Sequence, residues 1–317
     1  MTAMQPERPD VALVIPVWND PAGLERLLCR ARSLDCFRQI IVIDDGSDIA
    51  VPAAKDITLI RHERSRGGGA ARNTGLWQVD TGYLVYCDSD DLLTAEMPAL
   101  LADLTQAGSF DFCLFKHADS QRLAQGFWGQ PDWDEALWEQ AGFGCGALSA
   151  ADSATLPILA QTANYPWNKV YRTEFLRQNR ILCAETQVHQ DIPLHWRAFL
   201  TARDVLVSDR ICLWHEVDPN GGRLSNRRGR DRFDLLVALD QVGAAALAKG
   251  GAWPEAFGTF ALGVIAWAKR QIDPTLAAEF DRASADWLQR QFGPFLDRLA
   301  LAAPDLARRL AQDMSQR

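Results

Sequence analysis

Apolar positions in the N-terminal third of the chain fall in short, dense runs, each closed by a polar turn. Residues 11–16 form the first such run, and Asn19-Asp20-Pro21 follows it. Asp20 stands where a helix cap belongs and Pro21 at the first helical position. Leu24, Leu27, Leu28 and Ala31 then recur at helical spacing. Residues 40–43 read as a second strand and 57–60 as a third. Arg66-Gly67-Gly68-Gly69 leads into a predicted helix over 70–79, and 83–87 is a fourth strand. A helix over 95–106 and a strand over 110–115 complete the series. Strands this apolar are covered on both faces, so the alternation predicts an α/β fold with a mostly parallel central sheet under helices.

From residue 116 to about 164 the alternation blurs. Glycines cluster at Gly142, Gly144 and Gly146, and Trp128, Trp133 and Trp138 stand close by, which predicts an irregular insertion with strands or a lid. The segment 167–172, a short helix around Phe175 and a longer helix over 192–202 come next. Residues 205–207 and 211–214 read as two further strands. Residues 221–232 carry five arginines and predict a mobile basic loop. Beyond it the pattern is helical over 233–248, 257–270, 276–292 and 295–314, the pattern of a helical C-terminal appendage.

Composition narrows the choice of chemistry. At 317 residues and 48% hydrophobic the chain can bury a substantial core. A net charge of −8 argues against a general nucleic-acid surface. No apolar run reaches the roughly 18–20 residues of a membrane span. The N-terminal MTAMQPERPD lacks the apolar core of a signal peptide, so the expected location is cytoplasmic. Cys36, Cys87, Cys113 and Cys212 lie in or beside apolar segments and read as small buried hydrophobes, not as a disulfide framework or zinc site.

Two acidic turns carry the candidate chemistry. Asp44-Asp45-Gly46-Ser47 closes the second strand and Asp88-Ser89-Asp90-Asp91 the fourth. If the strands are parallel, both face one crevice at the edge where α/β sheets bind ligands, and Asn19 falls there too. Carboxylates held together repel unless a cation lies between them, which suggests a divalent metal and a phosphate-bearing substrate. Arg66, the Gly67–Gly69 turn and Arg72 offer a counterweight, since glycines admit close backbone approach and a helix start favours an anion. Each feature also has a plain reading as a solvated turn or an ordinary cap. Neither GxGxxG nor GxxxxGK[ST] follows the first strand, where Trp18-Asn19-Asp20 stands, which lowers the case for a nicotinamide enzyme or a P-loop phosphotransferase.

Five segments in order carry a family resemblance: Ile15-Pro16-Val17-Trp18-Asn19-Asp20, Val42-Ile43-Asp44-Asp45-Gly46-Ser47, residues 67–76 around Ala71-Arg72-Asn73, residues 83–91 with a D-x-D signature, and Trp167-Asn168-Lys169-Val170-Tyr171-Arg172. Together they resemble an inverting glycosyltransferase of GT-A fold, from the large family (glycosyltransferase family 2) that uses nucleotide-diphosphate sugars. The resemblance implies a GT-A domain over 1–230, its nucleotide-binding part about 10–116 and its acceptor-binding part about 117–230, followed by helices over 231–317. It implies that the backbone near Pro16 and Asn19, with Asp44 or Asp45, holds base and ribose. Arg72 would lie near the nucleotide or its diphosphate, Asp88 near the ribose or the metal's shell, and Asp90 on Mn²⁺ or Mg²⁺. Asp191 is the implied base for the acceptor hydroxyl, with Gln190 beside it where the family commonly has Glu. Capping the 192–202 helix would suit Asp191 equally well, and His189 is an alternative base. His215 and Arg223, with Ser225, fall in a stretch that resembles the family's variable segment over the diphosphate, which implies contacts to phosphate.

The implied donor is a UDP- or GDP-linked sugar, and the implied acceptor is a glycan or glycolipid of surface polysaccharide or lipopolysaccharide synthesis. Peripheral association with the inner membrane face and a homodimer through the C-terminal helices are both compatible with this pattern. Two rival readings stand beside it: a nucleotidyltransferase making an activated sugar, and an inactive carbohydrate-binding module. The first is expected to carry a glycine-rich basic loop where Trp18-Asn19-Asp20 stands.

Overall fold

Seven consecutive buried residues, Val-Ala-Leu-Val-Ile-Pro-Val, make β1 (Val11–Val17) the centre of the sheet. The structure, a computed structural model, describes residues 9–144, 148–217 and 227–315. Arg223, Ser225 and Gly146 lie outside the described residues. After β1 come α1 (Pro21–Leu34), β2 (Gln39–Asp44), β3 (Thr58–Arg61), α2 (Gly68–Leu76), β4 (Tyr83–Tyr86), β5 (Leu92–Leu93), α3 (Met97–Gln106) and β6 (Phe112–Asp119). The middle of the chain holds α4 (Ser120–Ala124), α5 (Asp132–Gln140), β7 (Ser149–Ala151), α6 (Leu156–Leu159), β8 (Lys169–Arg172), α7 (Thr173–Gln178), α8 (Asp191–Thr201) and β9 (Val205–His215). The remainder is α9 (Asp234–Lys249), α10 (Trp253–Gln271), α11 (Ala277–Phe292), α12 (Leu296–Ala302) and α13 (Pro304–Met314).

The strands form one mixed sheet in the order β3-β2-β1-β4-β8-β6-β9-β5, with β7 also paired to β9. β1, β2, β3, β4, β6 and β9 run one way, and β5, β7 and β8 run against them. The parallel half is the expected one, and its strand order turns at β1. β1 pairs with β4 only through Val14↔Tyr86, after which the two strands part. Backbone groups of a parallel strand point alternately to its two neighbours. Val14 accepts from Cys87 on the β4 side and Val17 from Asp45 on the β2 side. Pro16 therefore faces the β4 side, where the ladder has ended and its missing N–H costs nothing.

Several boundaries differ from the sequence expectation. The two short strands expected over 205–214 are the single strand β9, whose register against β6 slips where Asp209 and Arg210 are inserted between paired positions. Arg210 turns outward to Glu96 and Asp103. The described residues of the 116–164 insertion carry the end of β6, the short helices α4, α5 and α6 and the short edge strand β7, joined by irregular chain. The helix expected over 295–314 is broken at Ala303, whose φ/ψ of −141/71 obeys the restriction that Pro304 places on the residue before it. One apolar core runs without interruption from the sheet into the C-terminal helices. Trp196 of α8 joins the two, its ring packing within 5.1–6.4 Å of Trp253, Phe257 and Phe260 on α10.

Candidate active site

The gap between β1 and β4 is bordered by three turns that fasten to one another. Asp20 caps α1 as expected, its Oδ1 accepting from Gly23 N at 3.0 Å. Its Oδ2 accepts from Ser89 Oγ at 2.8 Å, which ties the first turn to the acidic run after β4. Asn19 sits in the left-handed region at φ 51° and clasps the loop after β2. Its N–H donates to Ser47 Oγ (3.0 Å), and its amide exchanges bonds of 3.1 and 2.8 Å with Asp48.

The two acidic clusters have different fates. Asp44 is fully buried and accepts from Ser47 N, Val51 N and Arg61 Nη1 at 2.7–3.2 Å. Burial opposes its ionisation, but those donors outweigh it and hold the carboxyl below the usual range. Asp45, only 2% exposed, accepts from Gly67 N (2.8 Å), Arg66 N (3.0 Å) and Ser65 Oγ (2.8 Å), and lies 2.6 Å from His62 Nδ1. The anion at the start of α2 is therefore Asp45 itself. The Gly67–Gly69 turn answers a second need. A Cβ on Gly69 would stand 2.1 Å from the Ala184 carbonyl, so the glycines make room for the loop over 184–190 and do not open onto the crevice as a phosphate cradle.

The run after β4 does face the crevice. Ligand oxygens of Asp88, Asp90 and Asp91 all lie within 4.8 Å of one another. Asp91, which sequence reasoning left among its neighbours without a role, is the pivot. It is fully buried, and its Oδ1 meets His215 Nδ1 at 2.9 Å and accepts from Glu216 N at 3.1 Å. Burial raises its pKa against the pull of His215, and its Oδ2 is buried without a hydrogen-bond partner. Three hard oxygen donors, one with an unanswered buried oxygen, fit a divalent cation of the Mg²⁺ or Mn²⁺ kind.

Arg72, on the buried face of α2, joins this run to the base candidate. Its Nη2 donates to Asp88 Oδ1 at 2.5 Å and its Nη1 to Asp191 Oδ1 at 3.1 Å. Burial works against its charge, but the two carboxylates more than offset this and keep the guanidinium protonated. Asp191 begins α8 without capping it, since no side-chain cap bond forms there. Burial pushes its carboxyl up to about 6, against the pull of Arg72 and with Asp88 adding to the rise. His189, the alternative base, is turned away into the protein. Burial and neighbouring Arg232 lower its pKa to about 3.

The opposite wall is aromatic. Tyr165 stacks on Trp167 at 4.2 Å, and both rings lie 5.2 Å from His215. Behind them His117 is fully buried with neither ring nitrogen bonded, and burial lowers its pKa to about 3. Lys169 of β8, also buried, donates to Asn168 Oδ1 (2.6 Å) and Tyr165 O (2.9 Å), and burial lowers its pKa to about 7. Of the tryptophans that could stack on a sugar, Trp138 and Trp167 are core residues, while Trp128 and Trp133 are more than half exposed. Trp128 stacks on Trp214 at the rim of a 980 Å³ groove between α3 and β9 that shares no lining residue with the acidic run.

Residues 12–141 match the family model described as Glycosyl transferase family 2. A pre-mycofactocin glycosyltransferase of Mycobacterium tuberculosis is 43% identical over 91 residues, which are 27% of this chain and 18% of that protein. The chain thus spans about a fifth of the length of that relative. The fold is similar to that of S. aureus TarS 1-349, with a TM-score of 0.71 at 17% identity over 96% of this chain and 87% of that one. TarS in complex with UDP-GlcNAc matches at 0.68, with 18% identity and coverage of 96% and 88%. The mannosyltransferase PcManGT from Pyrobaculum calidifontis, in complex with GDP-Man and Mn²⁺, matches at 0.53 with 14% identity, covering 98% of this chain and 85% of that one. No helix among the described residues is long and apolar enough to cross a membrane.

Proposed function

We propose that the crevice moves a sugar from a nucleotide-diphosphate sugar to a hydroxyl of a glycan or lipid-linked acceptor, with inversion, a reading supported by the match of residues 12–141 to the Glycosyl transferase family 2 model and by a fold similar to that of TarS. One observation carries this reading: a single buried guanidinium, Arg72, spans the acidic run and a carboxyl whose pKa is raised to about 6. Transfer with inversion needs those two functions on opposite sides of the sugar, one handling the departing phosphate and one taking the acceptor proton. Similarity to proteins solved with UDP-GlcNAc and with GDP-Man and Mn²⁺ supports a nucleotide sugar as donor.

In this reading the turns at Asn19 and Ser47, linked by their 3.0 Å bond, form the floor for base and ribose. Asp44 and Asp45 shape that floor from beneath. Asp88, Asp90 and Asp91 would hold a divalent cation, which when bound neutralises charge on the nucleoside diphosphate leaving group. Arg72 moves its hydrogen bonds toward the diphosphate, and His215, fixed by Asp91, lies beside the same group. Asp191 removes the acceptor hydroxyl proton. Tyr165, backed by the buried Trp167 ring, closes the far side and keeps water from the anomeric carbon.

Asp90→Ala tests the donor half. Calorimetry of UDP and GDP binding with and without Mn²⁺ should find the Mn²⁺-dependent affinity weakened at least about tenfold, the loss of one ligand or an outer-shell partner. An unchanged melting temperature would show that the loss is local. Full Mn²⁺-dependent affinity in that variant would sink the assignment.

A further inference from the structure

Resting on the transfer reading above, we propose that the C-terminal helical region belongs to the base machinery. Arg232 and Asp234 are positioning residues that set the loop leading into Asp191. That loop has little regular structure of its own. Ala184 N donates to Gln190 O at 2.8 Å, and Thr186 Oγ1 donates to Val188 O at 2.8 Å. One side of the loop lies against the Gly67–Gly69 turn, with Arg66 reaching Glu185 at 3.2 Å. The other side is held by the segment that opens α9. Gln187 N donates to Asp234 Oδ2 at 2.6 Å, and Arg227 Nη1 donates to Gln187 Oε1 at 3.2 Å. Arg232, 1% exposed, lies 4.6 Å over the Trp267 ring with its Nη1 3.4 Å from His189 Nε2. His189 also meets Trp267 edge-on at 5.7 Å.

Two observations make this more than packing. His189 is left-handed at φ 58°, a region uncommon for any residue with a side chain, and here its ring is held by Arg232 and Trp267. A buried guanidinium is costly to desolvate, so its seat against the Trp267 ring and His189 marks a specific contact. The imposed backbone lies two residues before Asp191, where a shift of about 1 Å costs on the order of a hundredfold in rate. Trp196 secures the rest of α8 to α10, so the base sits on an element braced at its start and along its buried face.

The test uses the full chain with Asp234→Ala and Asp234→Asn. Three quantities are measured: hydrogen exchange at the Gln187 amide, UDP affinity in Mn²⁺, and kcat and KM for nucleotide release from a UDP- or GDP-sugar. In Asp234→Ala the Gln187 amide should exchange about tenfold faster and kcat should fall about tenfold. UDP affinity and donor KM should stay within about twofold, because the donor-side contacts are untouched. Asp234→Asn keeps an acceptor oxygen and should restore both exchange and kcat. Unchanged Gln187 protection in Asp234→Ala, unchanged kcat with the amide deprotected, or a loss that falls on donor KM would each overturn the positioning role alone. A wild-type chain that neither binds UDP or GDP nor releases either from a sugar donor would overturn the transfer reading, and this one with it.

Discussion

The raised pKa of Asp191 makes a quantitative claim about how activity responds to pH. Its side chain keeps 24% of its surface exposed, yet burial of the carboxyl pushes it to about 6, and Arg72 only partly offsets this. In the proposed transfer the ionised form is the base. At pH 7 roughly nine-tenths of the carboxyl of the free protein is ionised, and at pH 5 roughly one-tenth, so kcat/KM should fall about tenfold between them. An unperturbed aspartate would lose under about a tenth of its ionised form over the same interval. Stability runs the other way. A carboxyl whose folded pKa is raised stabilises the fold below its unfolded pKa, and that contribution is lost as pH rises through about 6. The difference is at most about 3 kcal/mol. Asp191→Asn keeps an oxygen for Arg72 but cannot take a proton, so kcat should drop about 10²–10⁴-fold with donor affinity retained. The assay is nucleotide release at donor and acceptor concentrations well below their KM from pH 5 to 8, with melting curves across the same range. A kcat/KM that is flat from pH 7 to pH 5, or an Asp191→Asn variant within threefold of wild type, would refute the assignment.

Two further expectations concern the frame around the site. Gly69→Ala places a methyl 2.1 Å from the Ala184 carbonyl, so the loop before α8 must move. The cost should be about 1–3 kcal/mol, read as a melting temperature lower by several degrees, and an unchanged melt would mean the loop yields freely. Trp196→Ala empties the junction between α8 and α10 and should destabilise the chain by about 3–5 kcal/mol in urea unfolding. A loss under about 1 kcal/mol would show that the C-terminal helices are not anchored there.

The parallel half of the fold was legible because its strands are apolar throughout and its helices begin at recognisable signals. β1 is seven buried residues in a row, and Asp20-Pro21 marks the start of α1. What escaped the pattern was polar residues in buried strands. β6 continues through Lys116, His117 and Asp119, all buried, although the apolar run in the sequence stops at Phe115. Those side chains are tolerated for tertiary reasons. Lys116 reaches Glu135 on α5 at 2.5 Å, and Asp119 caps α4 by accepting from Gln121 N and Arg122 N. Neither partner is close enough in periodicity to announce itself. Asp209 and Arg210 likewise split β9 into two apparent strands, because a local insertion in the ladder looks in one dimension like a turn.

The site shows the same limit from the side of charge. Asp44-Asp45 and Asp88-Ser89-Asp90-Asp91 are alike in sequence, each an acidic turn after an apolar strand, and a crevice lined by both was the natural expectation. Their difference lies in the donors that the fold delivers. Around Asp44 and Asp45 stand backbone amides of residues 47, 51, 66 and 67, with Arg61 and His62 on the adjoining strand and turn. That supply saturates both carboxylates and turns them inward as struts for two loops. The run after β4 meets fewer donors: Arg72 takes Asp88 while bridging to Asp191, and Asp91 keeps one buried oxygen unanswered. A buried oxygen with that deficit would gain from the proposed cation, whereas a satisfied pair such as Asp44 and Arg61 gains nothing from one. Whether an aspartate supports a loop or meets a substrate is thus decided by donors remote in sequence, and only the folded chain brings them into view.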